Sequence, residues 1–154
     1  CSGPDDDVTA IVDYAHSPDA LARVLATLRP LAPAGLWCVF GCGGDRDPLK
    51  RPLMGEAVGR GADRAFVTND NPRTEDPRAI AEAVVPGLAR ANAPYEIVLD
   101  RAEAIDRAVA LAPPGAVVLI AGKGHEAYQT VGAISAPFDD RSEARRALAR
   151  RRAR

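Results

Sequence analysis

The chain has 154 residues, 47% hydrophobic, 27% charged and 5% aromatic, a size and balance that suit one soluble domain with a real core and leave no room for two. Twenty Lys plus Arg stand against twenty-one Asp plus Glu, a net charge of −1, so no global field directs the chain toward nucleic acid or a membrane. The longest clean apolar run, residues 116–121, is far below the roughly 20 residues of a membrane span, and no secretory leader pattern opens the chain. The expected compartment is the cytoplasm, and the expected state is a monomer.

Apolar runs and helical spacings alternate along the chain. Strands are expected over 8–12, 36–41, 64–68, 95–99 and 116–121, with a shorter one over 130–134. Between them, Leu21, Val24, Leu25 and Leu28 recur at helical spacing, as do Ile80, Val84 and Leu88, and then Ile105, Ala108, Val109 and Ala112. A further helix follows Pro52 and a last one begins near Ser142. Pro18 and Pro77 sit where a first-turn proline is tolerated, whereas Pro86-Gly87 is expected to end or kink its helix. This order predicts an α/β fold: a Rossmann-like, open, mostly parallel sheet of about six strands with helices on both faces.

Residues 141–154 hold seven arginines and one acid, Glu143; without them the chain has 13 bases and 20 acids, a net of −7. Ala144, Ala147 and Leu148 form one apolar stripe, so this segment reads as a packed helix with a basic face rather than a nucleic-acid tail. Asp5-Asp6-Asp7 reads as a solvated lead-in to the first strand. Three cysteines argue against a disulfide framework, and Cys38 and Cys42 read as small buried hydrophobes. No metal site is expected, because His16 and His125 belong to no paired Cys/His spacing.

In an open parallel sheet, ligands bind outside the carboxyl ends of the strands. The loops expected there are Asp13-Tyr14-Ala15-His16-Ser17-Pro18, Gly41-Cys42-Gly43-Gly44-Asp45-Arg46-Asp47, Asn69-Asp70-Asn71-Pro72-Arg73 and Gly122-Lys123-Gly124-His125-Glu126. All are polar or glycine-rich. The loop after the fourth strand, Asp100-Arg101-Ala102-Glu103, reads as a plain helix start. A dinucleotide fingerprint fails because Arg46 stands at its third glycine place, although Asp63 lies twenty residues beyond Gly43. A P-loop fails because Gly124 follows Lys123 where Ser or Thr is required. A triad of Asp13, His16 and Ser17 has poor geometry, since neighbouring residues at a strand end point in different directions. No catalytic residue is assigned.

The loops do offer charges matched to a small zwitterion. Arg46 and Arg73 can each grip a carboxylate with two hydrogen bonds, Asp70 and Glu126 can take an ammonium group, and Pro72 stiffens the backbone between Asn71 and Arg73. Surface ion pairs and turn residues would give the same composition one loop at a time.

The stretches Val12 to Leu21, Cys38 to Asp47, Lys50 to Gly55, Asp70-Asn71-Pro72-Arg73 and Ala121 to Glu126 together resemble, in order, the carboxyl-terminal domain of the Mur ligases. The Asp-Asn-Pro-Arg loop resembles the branch that adds meso-diaminopimelate. The resemblance implies that ATP phosphorylates the glutamate side-chain carboxyl of UDP-N-acetylmuramoyl-L-alanyl-D-glutamate, and that an amino group of diaminopimelate then displaces phosphate. It implies that Arg46, Asp70, Asn71, Pro72, Arg73, Gly122 and Glu126 hold the diamino acid and that Asp13, Tyr14 and His16 close over ATP. It further implies separate UDP-sugar and ATP-handling domains, the latter with Mg2+, that this chain lacks, so that 154 residues alone would be inactive. The open alternatives are a relative that adds lysine or ornithine, and a non-catalytic Rossmann-like binding module.

Overall fold

The computed structural model describes residues 1–154. Five parallel strands, β1 (Thr9–Asp13), β2 (Leu36–Phe40), β3 (Arg64–Val67), β4 (Tyr95–Ile97) and β5 (Val117–Ala121), form one sheet in the order β1-β5-β2-β3-β4. Asp13 lies opposite Ala121, Val39 opposite Ile120 and Phe40 opposite Val67, so the strands end together and their loops emerge along one edge. All five residues of β5 are buried, the pattern of a strand covered on both faces, which is why it carries the cleanest apolar run.

Period-two alternation divides the core. Leu36, Cys38 and Phe40 of β2 join α1 (Pro18–Leu28), α2 (Lys50–Gly61) and α3 (Pro77–Arg90) on one face. Val39, Phe66, Val118 and Ile120 meet α4 (Arg101–Leu111) and α5 (Asp140–Arg152) on the other. Truncating a fully buried contact such as Leu25 to Ala is expected to cost about 2–5 kcal/mol. Side-chain caps start four helices: Ser17 accepts the Ala20 N–H, Asp76 that of Arg78, Asp100 that of Glu103 and Asp139 that of Arg141. The thiols of Cys38 and Cys42 lie inside the first core, where burial pushes both pKa values up to about 12.

Three local expectations are corrected. Pro86 does not end helix α3, which continues to Arg90; Pro86 is exposed along with Glu82, so the carbonyl freed by the missing N–H lies on the solvent side. Gly87 is needed there for contact: a Cβ would sit 1.9 Å from the Pro52 carbonyl oxygen of α2. Residues 130–134 do not add a sixth strand to the sheet. They span the turn of a separate antiparallel hairpin, β6 (Tyr128–Val131) and β7 (Ile134–Pro137), whose bend Gly132 permits at φ +61°.

Asp5 to Asp7 are more than a solvated lead-in. Arg151 donates to Asp7 at 2.7 Å and to the carbonyls of Val109, Ala110 and Ala112, while Arg152 pairs with Asp6. Most other basic residues of this segment find acids too: Arg141 pairs with Asp139, Arg146 with Glu143, and Arg150 and Arg154 share Asp106, whereas Arg145 has no acidic partner. The packed-helix reading of this segment holds, and Ala144, Ala147 and Leu148 are its buried stripe. No helix is long and apolar enough to cross a membrane.

Candidate functional site

At the carboxyl edge the loops after β1, β2, β3 and β5 surround a cleft of about 550 Å³. Two close approaches shape its floor. A Cβ on Gly41 would lie 2.1 Å from the Thr68 carbonyl oxygen, and one on Gly44 would lie 1.7 Å from that of Pro72, so the β2 and β3 loops touch backbone to backbone. The Gly44 N–H donates to the Asn71 carbonyl at 2.8 Å. From the other side, Arg73 forms a strand-like bridge with Val131: the Arg73 N–H donates to the Thr130 carbonyl, and the Gly132 N–H donates to the Arg73 carbonyl.

Arg73 adopts φ +52°, a conformation that non-glycine residues take at a cost and that clusters at functional sites. Its guanidinium donates to the Gly44 carbonyl at 2.8 Å and meets no carboxylate. Arg46, exposed on the opposite loop, donates only to the Asp45 carbonyl. Both face the cleft, as do Asn71, Asp70, Gly122 and Glu126.

Several of these groups already have partners. Lys123, fully buried, lies 3.2 Å from Asp70 and donates to Asn71 Oδ1 at 2.9 Å and to the Tyr128 carbonyl at 3.0 Å. The Thr130 N–H also donates to Asn71 Oδ1. Asp70 is therefore a charge-matched part of the wall, leaving Glu126 as the acid of the pair without a cation. One Glu126 carboxylate oxygen, buried, receives no hydrogen bond.

Two expected contacts do not line the cleft. Pro72 is buried behind it with its carbonyl against Gly44, where it holds the loop. Asp13 accepts the Ala15 N–H at 2.8 Å, closing a turn whose effect is to present Tyr14 and His16 at the rim. Those rings meet edge to face at 4.6 Å, and His125 stacks on Tyr14 at 6.1 Å. Ser17 caps α1 and His16 Nδ1 bonds the Tyr14 carbonyl, so no triad forms. Asp63 pairs with Arg29 and accepts the Leu36 N–H, away from the cleft.

A model of the Mur ligase, glutamate ligase domain matches residues 2–124. The chain belongs to the Mur ligase family. The UDP-N-acetylmuramoyl-L-alanyl-D-glutamate--2,6-diaminopimelate ligase of Synechococcus elongatus is 56% identical over 149 residues, covering 97% of this chain and 30% of that protein. The ligase of the same name from Synechocystis is 54% identical over 145 residues, 94% of this chain and 28% of the other. A solved structure of a ligase of that name superposes with a TM-score of 0.89 at 46% identity, covering 94% of this chain and 30% of the solved one. This Mur ligase domain thus spans just under a third of the length of these relatives.

The cleft of the Mur ligase domain also contains residues that sequence reasoning left without a role. Asp47 comes from the end of the β2 loop, Lys50, Arg51 and Met54 from the start of α2, and Tyr128 from the hairpin. Arg51 is buried, donates to the Gly43 carbonyl and pairs with Glu75 at 2.9 Å; Glu75 in turn accepts the Asp45 N–H. This pairing holds the Glu75 carboxyl below its usual range. The Lys50-Arg51 dipeptide directly after the glycine loop was the available signal, but its direction depends on where α2 begins.

Proposed function

We propose that this domain holds the acceptor amino acid of an ATP-dependent ligase, and that the acceptor is a diamino dicarboxylic acid, meso-diaminopimelate. One observation carries the reading. Of eighteen arginines, only Arg23, Arg46, Arg73 and Arg145 lack an acidic partner, and Arg46 and Arg73 face the same cleft as an undonated Glu126 oxygen. The two guanidinium groups and the Glu126 carboxylate complement two carboxylates and an ammonium group; Asp47 and Lys50, which line the same cleft without an ion-pair partner, are opposite in sign and add no net charge. Arginine suits the task because its planar fork binds a carboxylate through two parallel hydrogen bonds. Lysine and ornithine have one carboxylate and would leave one arginine unmatched.

In the proposed reaction ATP activates the glutamate carboxyl of UDP-N-acetylmuramoyl-L-alanyl-D-glutamate as an acyl phosphate, which the amine of the bound diamino acid attacks, releasing phosphate. The contribution of this chain is to orient that amine; holding reactants in register is itself a large catalytic factor. The exposed Tyr14, His16 and His125 rings fit the face of a nucleotide base. Lys123 fits no phosphate, being enclosed by Asp70, Asn71 and Tyr128, and no three His, Cys, Asp or Glu side chains converge on a Mg2+ position. In this reading phosphate and Mg2+ chemistry belongs to the part of a cytoplasmic ligase that the relatives have beyond the length matched here, and no ATP turnover is expected from these 154 residues alone. Calorimetric titration of the domain with meso-diaminopimelate and with L-lysine tests the reading. At least about tenfold tighter binding of diaminopimelate is expected from one extra charge-assisted contact. Equal affinities would overturn the acceptor assignment.

A further inference from the structure

Arg101 begins α4, in a segment that reads from the sequence as an ordinary helix start, yet its side chain is completely buried. A guanidinium at a helix N-terminus opposes the helix dipole and loses its hydration, so its presence there calls for compensation. Each of its three nitrogens finds an acceptor. Nε and one terminal nitrogen donate to the two carboxylate oxygens of Asp140, also fully buried, at 2.8 and 2.7 Å. Two further donors go to backbone carbonyls, Asn69 at 3.0 Å and Ala121 at 3.0 Å.

Those two carbonyls are the last ones before the loops that face the cleft. Asn69 immediately precedes Asp70, and Ala121 ends β5 immediately before Gly122. Their strands are not neighbours: β2 lies between β3 and β5. Arg101 therefore spans the end of β2 from behind and ties the Asp70–Arg73 loop to the Gly122–Glu126 loop at a fixed separation. The same separation sets the front contacts, since a Cβ on Gly122 would lie 3.0 Å from Asp70 Oδ2 and Lys123 reaches Asp70 at 3.2 Å.

We propose that the Arg101–Asp140 pair is a positioning device for the acceptor site, holding Arg73 and Glu126 at the spacing that the diamino acid requires. The proposal rests on the acceptor reading for its ligand, while the geometry of the clamp does not. An apolar pair of similar volume can replace a buried ion pair with little loss of stability, whereas it cannot hold two carbonyls. The test is the double variant Arg101→Met/Asp140→Leu in the 154-residue chain, with Asp140→Asn, which keeps Arg101 and its two carbonyl bonds, as the second variant.

Amide hydrogen exchange is measured first, at a temperature where circular dichroism shows each variant folded. The Arg73, Gly122 and Glu126 amides, which donate to the Thr130, Asp13 and Lys123 carbonyls, should exchange about tenfold faster in the double variant while the β1 and β5 amides keep their protection. Calorimetry with meso-diaminopimelate should then show roughly tenfold weaker binding by the double variant, with Asp140→Asn closer to the parent. Unchanged loop exchange in a folded variant overturns the clamp, and so does uniform loss of protection across the sheet in both variants, which marks a purely structural pair. Failure of the parent to bind diaminopimelate overturns the acceptor reading, and the clamp then stands or falls on hydrogen exchange alone.

Discussion

Arginine is put to opposite uses at the two ends of this molecule. Along the seam between α5 and the start of the chain, Arg151 and Arg152 are matched to Asp7 and Asp6, and Arg151 also closes three carbonyls at the end of α4. In the cleft, Arg46 and Arg73 contact only backbone carbonyls and carry unmatched charge. The seam charges are matched within the chain; those of Arg46 and Arg73 are not. The contrast also separates the three buried cations at the sheet edge: Arg51, Lys123 and Arg101 have carboxylates of their own and so belong with the seam in kind, although they stand in or beside the cleft.

Removing a cleft arginine should have the largest effect. Arg73→Ala is expected to weaken meso-diaminopimelate binding about a hundredfold, roughly 3 kcal/mol for a charge-assisted double contact, while the melting temperature moves little. Calorimetry beside thermal denaturation checks this, and Arg73→Lys should recover only part of the affinity because one ammonium cannot reproduce the fork. At the seam the outcome reverses. Arg151→Met should cost about 1–2 kcal/mol in chemical denaturation, through the three released carbonyls, with acceptor affinity unchanged.

Acid should weaken the seam by a smaller amount. Asp6 is held below its usual pKa by the Gly3 N–H and by Arg152, and Asp7 by Arg151; Asp63 is lowered by Arg29. A lowered folded-state pKa gives stability that is present above the ordinary carboxylate range and is lost as pH falls from about 4 through the folded value. Denaturation midpoints should therefore drop between pH 6 and pH 3, and Asp6→Asn/Asp7→Asn should drop less steeply; identical slopes would remove these pairs from the account. The smallest effect is expected at Arg145, the unpaired arginine of α5. Arg145→Ala should change stability by under about 0.5 kcal/mol and leave binding untouched, which separates an unmatched surface charge from an unmatched cleft charge.

Much of the architecture was legible because it rests on local periodicity. The alternation in β2 separates the two cores, the run in β5 marks a strand covered on both faces, and Ser17-Pro18 and Asp76-Pro77 mark helix starts. The misreadings have local causes as well. Proline at position 86 signals a break only if the freed carbonyl is buried, and here it faces solvent. A short β-branched stretch around Gly132 signals a strand but cannot show that it folds back on itself.

The site divides in the same way. Sequence pattern alone determined that four polar loops share one edge, because strand direction fixes where parallel strands end, and it nominated Arg46, Arg73 and Glu126 as groups for a zwitterion. Only the tertiary structure decided which charges were already matched: Asp70 with Lys123, Arg51 with Glu75, Arg101 with Asp140. Those pairs join residues 24 to 53 positions apart, too far for any local spacing rule to connect. A charge is free or matched according to its neighbours within a few ångströms, and that distance exists only after the chain has folded.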